Sequence, residues 1–158
     1  GFDLSKQRHL SLYGRGKIGR EDVLLAKPQT FMNLSGEAAR PLLGFHGIGL
    51  PHLIVIHDDA DFAAGTVKVK QGGGAGGPNG ISSIIEHTGS GEFARIRIRV
   101  GRPDTGGRDM ARHVLSRPSP QEAALFHEAE LRAADAVEAV LARGLSMAMN
   151  EINRTSPL

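Results

Sequence analysis

Asn33, Asp58 and Asn79 are short polar side chains that each fall at or near the end of a segment whose pattern predicts a strand. A carboxamide both donates and accepts neutral hydrogen bonds, so two of them suit the holding of an ester or peptide backbone and the steadying of a developing oxyanion. A carboxylate beside them can orient a histidine general base. In an open α/β sheet, ligands bind in the crevice beyond the carboxyl ends of the strands, which gives the three positions a common reason. His57 directly precedes Asp58, and neighbouring side chains on a strand point to opposite faces, so this histidine does not readily serve that carboxylate. For Asp59 and Asp61 the alternative reading is that they cap the turn that follows.

The second chemical feature is Gln71-Gly-Gly-Gly-Ala-Gly-Gly-Pro-Asn-Gly80, with six glycines in ten residues. It is preceded by the alternating Thr66-Val-Lys-Val-Lys70 and followed by the apolar-periodic Ile81 to His87, which predicts a strand, a glycine turn and a helix. Glycines there let backbone N–H groups approach a ligand and aim a helix N-terminus at it, although a flexible surface connection would share the composition. No Gly-Lys-Ser/Thr follows, so this is not a phosphate-binding loop of the Walker type. A dinucleotide fingerprint can be laid over Gly72 to Gly77, but no acidic strand end follows at the expected distance. The seven histidines form no His-x-x-x-His pair, which argues against a metal site. Gly-x-Ser-x-Gly is absent, which argues against serine hydrolase chemistry.

Several elements must position these groups. Gly1 to Leu4 show neither helix nor strand period, and His9 to Lys27 predicts a hairpin turning at Gly19-Arg20. Pro28 ends the second strand, and Asn33 or Ser35 caps a helix to about Phe45 in which Pro41 predicts a kink or an early break. Leu53-Ile-Val-Ile56 reads as a strand buried on both faces. Residues 93–100 alternate strictly, placing Arg95, Arg97 and Arg99 on one face, either as a solvated edge or as a basic surface. After a loop at 101–107 and a short element at 110–115, Ser119-Pro-Gln-Glu122 opens a helix to Ala142 with an apolar stripe at 124, 125, 129, 133, 137, 140 and 141. Gly144 ends it, and a last short helix reaches Asn153.

The chain of 158 residues suits one domain, and its 40% hydrophobic and 23% charged composition is that of a folded globular protein. No apolar run is long enough to span a bilayer, and the absence of cysteine fits a reducing cytoplasm. Net charge is only +2, yet Lys68, Lys70, Arg95, Arg97, Arg99 and Arg102 crowd the region of the glycine loop. A local basic cluster of this kind predicts a phosphate-bearing partner.

Phe31-Met-Asn-Leu-Ser-Gly36, His57-Asp-Asp-Ala-Asp-Phe62, Lys70 to Gly80, Arg95-Ile-Arg97 and Gly101-Arg-Pro103 together resemble bacterial-type peptidyl-tRNA hydrolase, in order and in spacing. The resemblance implies a single α/β domain with a mixed twisted sheet flanked by helices and with the C-terminal helices packing on one side. It implies a cytoplasmic monomer that needs no cofactor, metal, membrane or obligate protein partner and that hydrolyses the ester joining peptide to tRNA. Carried over by position, Asp58 resembles the carboxylate that orients the catalytic histidine, and Asn79 the asparagine that positions substrate and attacking water. Asn33 resembles the asparagine that holds substrate backbone, flanked by Phe31 and Met32. Lys70 and Arg97 match the pair that clamps the 5′ phosphate of tRNA. The family also begins with a strand ending in Gly-Leu-Gly-Asn-Pro-Gly and continues through Thr-Arg-His-Asn-x-Gly, for which this sequence has no counterpart. The expectation is therefore an N-terminally incomplete scaffold with impaired hydrolysis, for which His9 and His113 are the first candidates as a replacement base. Ala60 stands where relatives usually have Leu, and Arg99 where they usually have Gly. A non-catalytic RNA-binding relative is the alternative, and a nucleotide-binding module would rest on the glycine loop alone.

Overall fold

The computed structural model describes residues 2–76, 79–100 and 117–155, without the side chains of Asn79 and Thr155. They form two compact units, Gly1–Leu53 with Gln71–Ala94, and Ile54–Lys70 with Arg95–Leu158. The loop predicted at 101–107, the short element at 110–115, Arg102 and His113 lie outside the described residues.

The first unit holds an antiparallel sheet in the order β1 (Lys6–Arg8), β2 (Ser11–Ile18), β3 (Glu21–Pro28). The predicted hairpin is present, with Gly19 at φ +58° in its turn and the second strand ending at Pro28. Strand β1 was not expected: its Lys-Gln-Arg sequence is exposed throughout and has no apolar period, so pairing with β2 is its only signature. Helix α1 (Ser35–His46) follows a 3-10 turn, Met32–Leu34. Neither Asn33 nor Ser35 caps it. Leu34 is the cap residue, and Ser35 Oγ instead donates to the Met32 carbonyl at 2.7 Å. Nor does Pro41 break the helix, which continues to His46 and closes on Gly47 at φ +64°. Helix α2 (Asn79–Thr88) leaves the glycine loop as predicted.

A second three-stranded sheet has the order β4 (Ile54–Asp58), β6 (Ala94–Ile98), β5 (Val67–Gln71). Backbone bonds from Ala94 to Leu53 and from Asp59 to Ile98 make β4 and β6 parallel. Bonds from Arg99 to Thr66 and from Gly72 to Phe93 make β5 and β6 antiparallel. The sheet is therefore mixed, and the α/β class expected from the sequence is the class observed. Strand β4 is not buried on both faces: among the described residues it lies at an edge of this sheet, and Ile56 is exposed.

Val67, Val69, Ile96 and Ile98 form the core face of the sheet against Ala129, Ala133 and Ala136 of helix α3 (Pro120–Arg143), and Met149 and Ile152 of α4 (Leu145–Thr155) pack on the same cluster. Side chains of one carbon let the helix approach closely, so the buried seam of α3 is an alanine seam, and Leu125 of the predicted stripe is exposed. The predicted capping box is complete, with Ser119 and Glu122 each bonded to the other's backbone N–H. Asn153 of α4 accepts from Val69 N–H at 2.8 Å and donates to Val69 O at 2.9 Å. Its carboxamide satisfies the backbone of β5 as a neighbouring strand would.

Candidate active site

In the first unit, the geometry begins with two glycines. A Cβ on Gly36 would overlap the Ser83 carbonyl and crowd His87 Nδ1, and a Cβ on Gly80 would lie 2.8 Å from Met32 Sδ. Without those side chains, the N-terminus of α1 and the 3-10 turn before it can lie directly on the first turns of α2. The Gly36 N–H donates to Ser83 Oγ at 2.9 Å and fastens the crossing. Asn33, in that 3-10 turn, is thereby held beside the helix start at which Asn79 stands. Phe31 and Met32 next to it are 80% and 69% exposed, too open for core residues and suited to a surface that another molecule covers.

The second unit carries Asp58, Lys70 and Arg97. The Asp58 carboxylate, at the end of β4, accepts from Val100 N–H at 3.0 Å and lies 3.8 Å from Arg99 Nη1. His57 Nδ1 is 3.0 Å from the Asp58 main-chain oxygen, and burial holds the imidazole pKa below its ordinary value, helped by Arg97 and Arg95. Among the described residues, then, no imidazole contacts the Asp58 carboxylate. Arg99, the departure noted in the sequence, is its cationic neighbour. Ala60 is exposed in the turn beyond.

Asp59 has a role that the sequence did not reveal. It is buried, and one oxygen accepts from the Asp61 N–H at 3.0 Å, which realises the turn-capping reading. Its other oxygen takes both Nε and Nη2 of Arg97 at 2.7 Å. Burial pushes the Asp59 pKa up, but the Asp61 amide and the bonded Arg97 charge outweigh it, so the net shift is downward. The Arg97 guanidinium also lies 4.4 Å over the Phe62 ring. Strand alternation places Arg95, Arg97 and Arg99 on the face away from the core, with Lys68 and Lys70. The bonds bracketing β5 and β6 set Lys70 opposite Arg95, so Lys70 and Arg97 are diagonal neighbours on one face. This face is not the open basic surface that alternation suggested, because Arg95 and Arg99 are buried while the Arg97 side chain is 26% exposed. Lys68 is drawn to the Asn153 carbonyl at 3.1 Å.

A family model described as Peptidyl-tRNA hydrolase matches residues 1–157. The chain belongs to the peptidyl-tRNA hydrolase family. The peptidyl-tRNA hydrolase of Alkaliphilus metalliredigens is 44% identical over 153 residues, covering 97% of this chain and 82% of the relative. That of Caldanaerobacter subterraneus is 42% identical over 153 residues with the same coverage. The crystal structure of peptidyl-tRNA hydrolase from Acinetobacter baumannii matches with a TM-score of 0.84 at 31% identity, over 99% of this chain and 80% of that one. The matches do not show the expected N-terminal incompleteness. Among the described residues, no helix is long and apolar enough to cross a membrane.

Proposed function

We propose that this member of the peptidyl-tRNA hydrolase family hydrolyses the ester between peptide and tRNA, as a cytoplasmic monomer without metal or protein partner. The observation that carries the reading is the clasp of the Met32–Leu34 turn onto the start of α2, which gathers the turn bearing Asn33 and the position of Asn79. In this reading the Asn33 carboxamide and the exposed Phe31 and Met32 hold the peptide end. Asn79, at a helix N-terminus whose dipole favours negative charge, positions the attacking water and steadies the oxyanion. Water adds to the ester carbonyl carbon and gives up a proton, the acyl C–O bond to the ribose oxygen breaks, and that oxygen takes the proton as free tRNA and the peptide carboxylate depart. Lys70 and Arg97 hold the 5′ phosphate. Arg97 gives two of its five N–H donors to Asp59 and keeps three for an anion.

Among the described residues Asp58 is engaged by Val100 and Arg99 and by no imidazole, and this favours slow chemistry or, as a second reading, RNA binding without hydrolysis. Single-turnover deacylation of N-acetyl-aminoacyl-tRNA separates the two. Release above the protein-free rate that falls when Asn33 is replaced by Ala is expected. Tight binding with release at the protein-free rate would establish the second reading instead. Lys70→Ala and Arg97→Ala are each expected to weaken binding of 5′-phosphorylated tRNA and to reduce the slope of log affinity against log salt by roughly 0.7–0.9. Equal losses with tRNA lacking the 5′ phosphate would remove these residues from that role.

A further inference from the structure

The sheet of the first unit has one face of unusual chemistry. Register sets Lys6 opposite Tyr13, Arg8 opposite Ser11 and Lys17 opposite Asp22. Paired residues share a face, and so do alternate residues along a strand, so Lys6, Arg8, Arg15 and Lys17 all lie on the side where the Tyr13 ring meets His46 of α1. On that side, the three strands carry a single carboxylate, Asp22, which is bound to Lys17 at 2.8 Å. Lys6 and Arg8 are exposed, and Arg15 Nη2 is 2.8 Å from His46 Nδ1, a partner without negative charge, so Asp22 is the one carboxylate these strands set against both Lys17 and Arg15 on this side. The positive field registers on His46, whose pKa is lowered by burial and by the charges of Arg15, His9 and Lys6.

An aromatic platform adjoins these cations. Phe45 is 57% exposed, with the Arg8 guanidinium 4.8 Å over its ring and the His9 ring 5.0 Å away. Arg8 is carried to that place by a two-residue turn in which both His9 (φ +53°) and Leu10 (φ +55°) are left-handed. Such a turn suits Asn-Gly, and a bulky pair in this conformation is strained. The strain is held in place by the Gln29 N–H bond to the Leu10 carbonyl at 2.7 Å, and the Leu10 side chain stands 56% exposed at the tip. An excess of cations along two strands, beside an open ring with a stacked guanidinium, suits a phosphate chain and the π-face of an unpaired base.

We propose that this face is a second tRNA contact, binding backbone phosphates through Lys6, Arg8 and Arg15 and stacking an unpaired base on the Phe45 platform. It rests on the reading that the chain's ligand is tRNA. Helix α1 has 12 residues, so its Phe45 end lies roughly 18 Å from the Asn33 end, and the contact falls on nucleotides away from the ester.

The test is fluorescence anisotropy of labelled deacylated tRNA with the full chain. The double variant Lys6→Glu/Arg8→Glu is expected to bind about tenfold more weakly and with a salt slope shallower by roughly two, since two phosphate contacts are lost. Lys6→Arg/Arg8→Lys is expected to bind nearly as the parent does. Phe45→Leu keeps apolar bulk but loses the stacking face, and about a fivefold loss is expected. Because the contact is separate from Lys70 and Arg97, the deficit of the double variant should be the same with tRNA lacking its 5′ phosphate. Unchanged affinity in both the Glu double variant and Phe45→Leu, with the parent still binding tRNA, would overturn this proposal alone. Absence of tRNA binding by the parent would overturn it together with the reading it rests on. Displacement of the tRNA by polyglutamate as effectively as by unlabelled tRNA would also overturn it, marking the face as one for acidic proteins.

Discussion

Gly36→Ala is expected to lower stability by about 3 kcal/mol, and Gly44→Ala, eight residues along the same helix, to raise it by roughly 0.5–1 kcal/mol. Helix propensity alone favours both changes by about 1 kcal/mol, since alanine has less backbone freedom to lose. A Cβ at Gly44 would meet nothing within 4 Å, so there propensity decides. At Gly36 the new methyl meets the Ser83 carbonyl and His87 Nδ1, and the first of these is backbone that can move only if α2 moves. Overpacking of this kind costs about 1–3 kcal/mol, and separating the helices also breaks the Gly36 N–H bond to Ser83, worth about 1 kcal/mol more. For a chain of this size the combined loss corresponds to a fall in Tm of roughly 10 °C. The movement would also carry the Asn33 turn away from the start of α2, so substrate binding should weaken even well below Tm. Thermal unfolding of both variants checks the contrast, and similar small shifts at the two glycines would show that the helices do not cross at Gly36.

Local rules made much of this fold legible. Gly19 turns the β2–β3 hairpin, Ser119 and Glu122 open α3, and the strand, glycine loop and α2 follow in the predicted order. Each signal lies within a few residues of the element it specifies. What escaped depends on partners distant in sequence. Strand β1 is visible only through its pairing, because Lys-Gln-Arg buries nothing. Asn33 is polar and lies just before a helix, which is how a cap looks, yet the turn's bonds run instead from Leu34 to Phe31 and from Ser35 to Met32. In α3, alanines rather than larger apolar residues make the seam, because closeness to the sheet matters more there than area. Alternation along β6 correctly put three arginines on one face, but it carries no information about what covers that face, and two of them are buried. The same limit hid Asp59, whose meaning lies in Arg97, 38 positions later.

The buried pairing of Asp59 with Arg97 sets the second large expected effect. Asp59→Ala should destabilise the chain by about 2–3 kcal/mol, because it strips Arg97 of its carboxylate and leaves the Asp61 N–H without its acceptor. The figure is set below that for a fully buried pair because about a quarter of the Arg97 side chain is exposed and water can screen its charge. Asp59→Asn keeps a neutral acceptor for one of these donors, so roughly half that loss is expected. The pH dependence has a definite sign. The folded-state pKa of Asp59 is lowered, so its contribution is fully present above the unfolded carboxylate value of about 3.9 and is lost as pH falls through the folded value. His57 behaves differently. Its folded pKa is also lowered, so the unfolded chain binds its proton first and stability begins to fall just below about pH 6.5. Denaturant unfolding at pH 7 should therefore separate parent from Asp59→Asn, with the gap closing below about pH 4; the earlier His57 decline should be somewhat steeper in the variant, which lacks the Asp59 charge that supports the imidazolium. A freed guanidinium also explores more rotamers, so Asp59→Asn should weaken binding of 5′-phosphorylated tRNA at pH 7 even though it removes a negative charge. Tighter binding would mean that Asp59 acts on the phosphate by repulsion and does not aim Arg97 at it.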